Sequence, residues 1–188
     1  MTMRDNAWDL LIQHVSSERL LKHSLAVEAG MVTYAEIFGE NTDRWAAIGL
    51  LHDVDYEEFP EEHTLKCVDI LKNAGYDDDF IATIQSHWSE MSGVTRETLA
   101  AKVLHASDEM CGFMVACALV RDPKGFTMEV KSVKKKFKDK GFAKAISRAE
   151  APLAAQELGL AFDQHIANLI AGMAKREAQL NEMGKSLL

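Results

Sequence analysis

Apolar residues recur along most of this chain at three- and four-residue intervals, the repeat of a helix with one buried face. A short helix is expected over about 5–15. A second runs from Ser17, a good N-cap, to Phe38, with Gly39 as its stop and Leu20, Val27, Met31 and Tyr34 on the inner face. A third, "TDRWAAIGLLHDV", starts near Thr42 and ends at or just after Asp53. Pro60 opens a helix that runs to Ala74 before Gly75. Another covers Asp77 to Glu90, with acidic residues in the first turn, where the helix dipole favours them. The longest runs from Thr95 to about Arg121 and is broken by Asp122-Pro123; a last helix covers Asp163 to about Met183. No stretch alternates convincingly with the two-residue period of a strand, so the fold class is all-α.

Polar residues interrupt the buried faces of these helices. His23 lies between Leu20 and Val27; His63 shares a face with Cys67 and Ile70; His87 follows Ile84 by three. Asp108 lies between Leu104 and Cys111 on the apolar side of the longest helix, and His52-Asp53 closes the most hydrophobic run. One inward histidine is usually a satisfied core residue, and Asp108 alone could be a helix-to-helix hydrogen-bond partner. Several such groups together are costly unless paired, because a lone buried carboxylate is strongly disfavoured. Four imidazoles and two carboxylates converging on one place would hold one or two divalent transition metals, with iron, manganese, cobalt, nickel or zinc better suited than calcium.

The 188 residues carry a net charge of −8, which argues against a protein that coats a nucleic-acid polymer. No run of about 18 apolar residues offers a membrane span. Asp5 and Asp9 occupy the region where a signal peptide would need a basic segment and an uncharged core. Cys67, Cys111 and Cys117 have no paired spacing and read as reduced thiols, so a cytoplasmic location is expected.

At His23, His52-Asp53, His63, His87 and Asp108 the chain resembles the HD superfamily of metal-dependent phosphohydrolases. Within it, the chain is similar to the small stand-alone HDIG-related bacterial proteins, including those that cleave dinucleoside polyphosphates. The segments "ALVRDP" and "VKSVKKKFKDKGFA" resemble the same group. The resemblance implies a helical bundle in one HD domain over 1–188, with a metal-site core over about 17–121 and a helical extension over about 124–188. It also implies that His23, His52, Asp53 and Asp108 ligate one metal and that Asp53 bridges to a second at His63 and His87. A hydroxide on or between the metals would attack a small phosphorylated substrate, a nucleotide or dinucleoside polyphosphate, which makes Asp53 catalytic. Two other readings stay open: a mixed-valent di-iron oxygenase on the same fold, and a non-catalytic helical module.

The chain departs from the HDIG pattern at Val54, Asp55 and Tyr56, where relatives carry Ile-Gly and often Lys. The substrate contact that such a lysine could supply is therefore missing. Asp55 fits either a carboxylate that orients a ligand histidine or a plain turn residue. The glycine-tyrosine-proline signature of cyclic-di-GMP phosphodiesterases is absent. His105 reads as a core histidine, and His14 and His165 as structural. The basic run from Lys131 to Lys140 has an apolar stripe at Val130, Val133 and Phe137 and reads first as a solvated helix face; Lys134 and Lys135 are its candidates for substrate phosphate.

Overall fold

Hydrogen bonds from side chains set the start of several helices in this chain, which we describe over residues 1–188 from a computed structural model. Helix α1 (Met3–His14) opens with a reciprocal cap between Thr2 and Asp5. Helix α2 (Glu18–Phe38) stops at Gly39, whose φ of 72° is the left-handed conformation that ends a helix at least cost with glycine. Asn41 caps α3 (Thr42–Leu51), accepting from the Arg44 amide at 3.0 Å. After a long turn come α4 (Cys67–Asn73), α5 (Asp78–Gln85) and the single turn α6 (Ser89–Ser92). Thr98 caps the long α7 (Leu99–Leu119), and α8 (Val130–Lys138), α9 (Glu150–Glu157) and α10 (Phe162–Glu182) complete an all-α bundle without strands.

Helix α2 is the spine, packed against α3, α7 and α10. Two glycines let its neighbours approach. A Cβ on Gly49 of α3 would stand 2.7 Å from the Glu28 Cα and 2.8 Å from its nitrogen, both backbone atoms of α2. A Cβ on Gly30 of α2 would stand 2.9 Å from Cys111 Sγ on α7. Around these contacts a cluster of 43 buried apolar residues joins all the long helices, with Leu50, Leu51, Leu104, Met110 and Phe113 at its centre. Glu28 is buried but compensated: Arg4 reaches it at 2.7 Å from α1 and Arg176 at 2.8 Å from α10. No helix is long and apolar enough to cross a membrane.

Several expected boundaries are corrected. The third helix stops at Leu51, so Asp53 lies in the turn beyond it. The helix expected over 60–74 is a 3₁₀ turn at Pro60–Glu62 followed by α4, and His63 stands between them in an extended conformation (ψ 140°) rather than on a face with Cys67 and Ile70. Likewise, 77–90 divides into α5, a 3₁₀ turn at Ser86–Trp88 that carries His87, and α6. The longest helix begins at Leu99 rather than Thr95, because Thr98 captures the Ala101 amide.

The histidine expected to be structural in the C-terminal helix, His165, is fully buried, between the Tyr34 hydroxyl at 2.5 Å and the Ala106 carbonyl at 2.9 Å. A carbonyl only accepts, so Nε2 carries the proton and Nδ1 accepts from Tyr34. Burial pushes this imidazole down to about 4.

Two predictions follow from this packing. Gly49→Ala should lower stability by about 1–3 kcal/mol, because backbone rather than a flexible side chain must yield; chemical denaturation measures it. For His165 the folded-state value lies below the unfolded one, so its contribution is complete above about pH 6.5 and is lost as pH falls through about 4. That loss is at most about 3 kcal/mol. His165→Phe should reduce the stability slope between those pH values by about one proton, and an unchanged slope would contradict the assignment.

A candidate metal centre

The polar end of the hydrophobic run is where two groups of ligand-type side chains meet. His23 (α2), His52 (the residue after α3) and Asp108 (α7) form one group; Asp53, His63 and His87 form the other. In the first, Asp108 Oδ1 lies 2.9 Å from His23 Nε2 and 3.5 Å from His52 Nε2. In the second, Asp53 Oδ1 lies 3.2 Å from His63 Nε2 and 3.6 Å from His87 Nε2. The other Asp53 oxygen, Oδ2, faces the first group, 3.3 Å from His52 Nε2 and 3.6 Å from His23 Nε2. One carboxylate thus gives one oxygen to each group.

The imidazoles are oriented from behind. His52 Nδ1 donates to the Gly49 carbonyl at 2.8 Å, and His87 Nδ1 to the Ile84 carbonyl at 2.5 Å. His63 Nδ1 donates to Asp55 Oδ1 at 2.7 Å, while Asp55 Oδ2 accepts the Cys67 amide at 2.8 Å. Asp55 is completely buried. It therefore orients a ligand-type histidine, the first of the two readings given for it, and also starts α4. The next residue, Thr64, is buried at φ 67°, an uncommon conformation for a β-branched side chain, and it turns the chain so that His63 faces inward.

The remaining acidic residues of the turn fasten it to α2. Glu57 accepts from the Ser16 and Ser17 amides, each at 3.0 Å, and Glu58 pairs with His14 at 3.0 Å. The loop carrying Asp53 is thereby tied to the start of the helix carrying His23. Leu50, Leu51 and Val54 are fully buried beneath it.

These residues fit divalent transition metals. With a proton fixed on Nδ1, neutral His52, His63 and His87 each point a bare Nε2 lone pair inward, where His23 Nε2 also faces. Yet His23 and His52 bring their Nε2 atoms to 3.2 Å, and His63 and His87 theirs to 3.0 Å. Facing lone pairs repel unless a cation lies between them. Neighbouring ligands on an ion bonded at about 2.1 Å stand about 3.0–3.4 Å apart, which matches these separations. The field points the same way. Burial would lower the His63 imidazole, but Asp53 and Asp55 outweigh it and push it up to about 9. Against burial, Asp53 and Asp108 hold His52 well above its ordinary value. Burial opposes ionisation of Asp108 and Asp53 too, but the surrounding histidines hold both carboxyls below the usual carboxylate range.

The other candidates lie elsewhere. Lys134 pairs with Asp163 at 2.6 Å, and with Lys135 it lines a depression that includes none of the six ligand-type residues. His105 is half-buried and makes no hydrogen bond; burial and the nearby Arg96 lower its pKa. Tyr56, named in the sequence only as a departure from the HDIG pattern, and Trp88, not singled out there, flank His63 with ring centroids at 5.2 and 5.7 Å. A cavity of about 310 Å³ between α1, α2, α3 and α10 is also polar, but its Arg4, Arg176 and Lys175 are taken by Glu28 and Glu36.

His23 and Asp108 project from facing helices, as in bundles that build metal sites from helix side chains, and the turns add the remaining four residues. Residues 20–111 match the family model of the HD domain, a span that contains all six ligand-type residues. Residues 20–111 thus carry an HD domain, and the family of that domain is one of metal-dependent hydrolases. No curated protein sequence matches the chain.

Partners that orient ligands typically matter 10–100-fold to metal affinity. Asp55→Asn should weaken metal binding by about that factor, measured by competition with a chromophoric chelator.

Proposed function

We propose that this chain is a metal-dependent phosphohydrolase acting on a small phosphorylated substrate, a nucleotide or dinucleoside polyphosphate. The observation that carries the reading is the division of Asp53, with Oδ2 towards His23 and His52 and Oδ1 towards His63 and His87. His23, His52 and Asp108 would hold one divalent ion, His63 and His87 the other, and Asp53 would bridge. Ions bound there would supply a water of lowered pKa and offset the charge on the attacking and leaving oxygens of a displacement.

The protein's own part is positioning. Asp55 and the Gly49 and Ile84 carbonyls fix three imidazoles before any substrate arrives, so little reorganisation remains for the reaction itself. His23, Asp53 and Asp108 keep partly exposed side chains and form the side from which substrate can approach, whereas His52 is sealed. With four neutral imidazoles, two carboxylates leave two divalent ions with surplus positive charge, which favours an anionic phosphate. The cysteines offer no competing nucleophile: all three are buried, and burial pushes their thiols up, Cys117 to about 11.

Asp53→Ala should abolish phosphate release from a nucleotide panel, by more than about 100-fold, and remove bound metal, since both groups lose an oxygen. Metal analysis and a phosphate-release assay under air and under nitrogen test this. Full activity in the variant would contradict it, and oxygen-dependent turnover without phosphate release would assign the centre to oxygenase chemistry.

A further inference from the structure

A groove of about 520 Å³ begins at the metal centre and runs between α2 and α7, within the range of sites that enclose small ligands. His23 lines it and is also a ligand-type residue, so the groove adjoins the centre. Its two walls differ. On α2, Arg19 precedes His23 by four residues and shares its face, and Lys22 lies beside it. On α7, Gly112, Val115 and Leu119 follow Asp108 by four, seven and eleven residues, a stripe leading away from the ligand carboxylate. Leu187 closes the apolar side.

The cations are not equivalent. Lys22 is engaged, 2.7 Å from Glu18 and 2.7 Å from the Leu188 carbonyl oxygen. Arg19 takes part in no ion pair or hydrogen bond within the protein, although it lines the groove. Its guanidinium can therefore take phosphate oxygens in its planar fork without giving up an existing partner. Gly112 leaves room beside His23: a Cβ there would stand 3.7 Å from His23 Nδ1, and any larger side chain would enter the groove mouth. Leu119 is 40% exposed, so the far end of the apolar wall is open to a ligand.

We infer that this groove is the substrate's binding site, with Arg19 holding a phosphate next to the metal centre and Val115 and Leu119 packing against the apolar face of a nucleoside. The inference rests on the phosphohydrolase reading and adds its specificity: a phosphate whose remainder is a flat, largely apolar body is preferred to inorganic phosphate or a short polar phosphate ester. The lysines of α8 have no part in it, since they line a different depression.

The test measures equilibrium binding of adenosine 5′-monophosphate and inorganic phosphate to the purified, metal-loaded protein by calorimetry, beside phosphate release and metal content. Arg19→Ala should weaken both ligands about ten-fold with metal content unchanged, as expected for loss of a charge-assisted contact. Leu119→Glu, an exposed position, should lower the ratio of nucleotide to phosphate affinity about ten-fold, whereas Leu119→Met should restore it. Failure of the wild-type protein to bind the nucleotide, or variants that match wild type for both ligands, would overturn the groove even if phosphate esters were hydrolysed. Binding that shifts as described without any phosphate release would support the groove and overturn the hydrolase reading instead.

Discussion

The constraint on which everything else depends is the crowding of electron pairs around Asp53. Two carboxylates and four imidazole nitrogens are brought within van der Waals contact in a partly buried space, and three of the four rings, those of His52, His63 and His87, commit a proton to a partner outside the cluster. Such an assembly is unfavourable by itself, since burying ionised groups without compensation costs several kcal/mol per charge. Positive charge removes the conflict, and the raised imidazoles and depressed carboxyls show how strongly the site calls for it. Folding and ion binding are thereby coupled: the bundle holds together groups whose mutual repulsion an ion would relieve.

The scaffold meets that demand with close helix contacts and a braced loop. Gly49 lets α3 approach the α2 backbone, which brings His52 beside His23, and Gly30 does the same for α7 and Asp108. From His52 to Glu58 the chain is a turn held by its carboxylates: Asp53 faces both groups, Asp55 holds His63 and opens α4, and Glu57 grips the start of α2. These acidic side chains brace the turn against its neighbours, as a preorganised centre needs.

Much of this was legible in the residues. The periodicity of Leu20, Val27, Met31 and Tyr34 and the stop at Gly39 gave α2 to within a residue, and an inward His23 followed from the same stripe. His63 and His87 reached the centre by a different route from the one expected. Helical spacing put them on helix faces, whereas one is in an extended turn and the other in a 3₁₀ turn. A local pattern cannot anticipate this, because the competing interaction is the Asp55 carboxylate, which takes the amide and the imidazole that a continuous helix would have used differently. The groove lined by Arg19, Gly112 and Leu119 was hidden for a related reason: a groove between two helices belongs to their crossing, not to either sequence.

The most direct measurement of the central claim is the number of ions the folded chain binds. Calorimetric titration of chelator-treated protein with Mn²⁺ or Zn²⁺, alongside its thermal unfolding, reports occupancy and its coupling to stability. The account predicts two equivalents per chain and a midpoint that rises with ion concentration. No binding, with a midpoint indifferent to either ion, would contradict it.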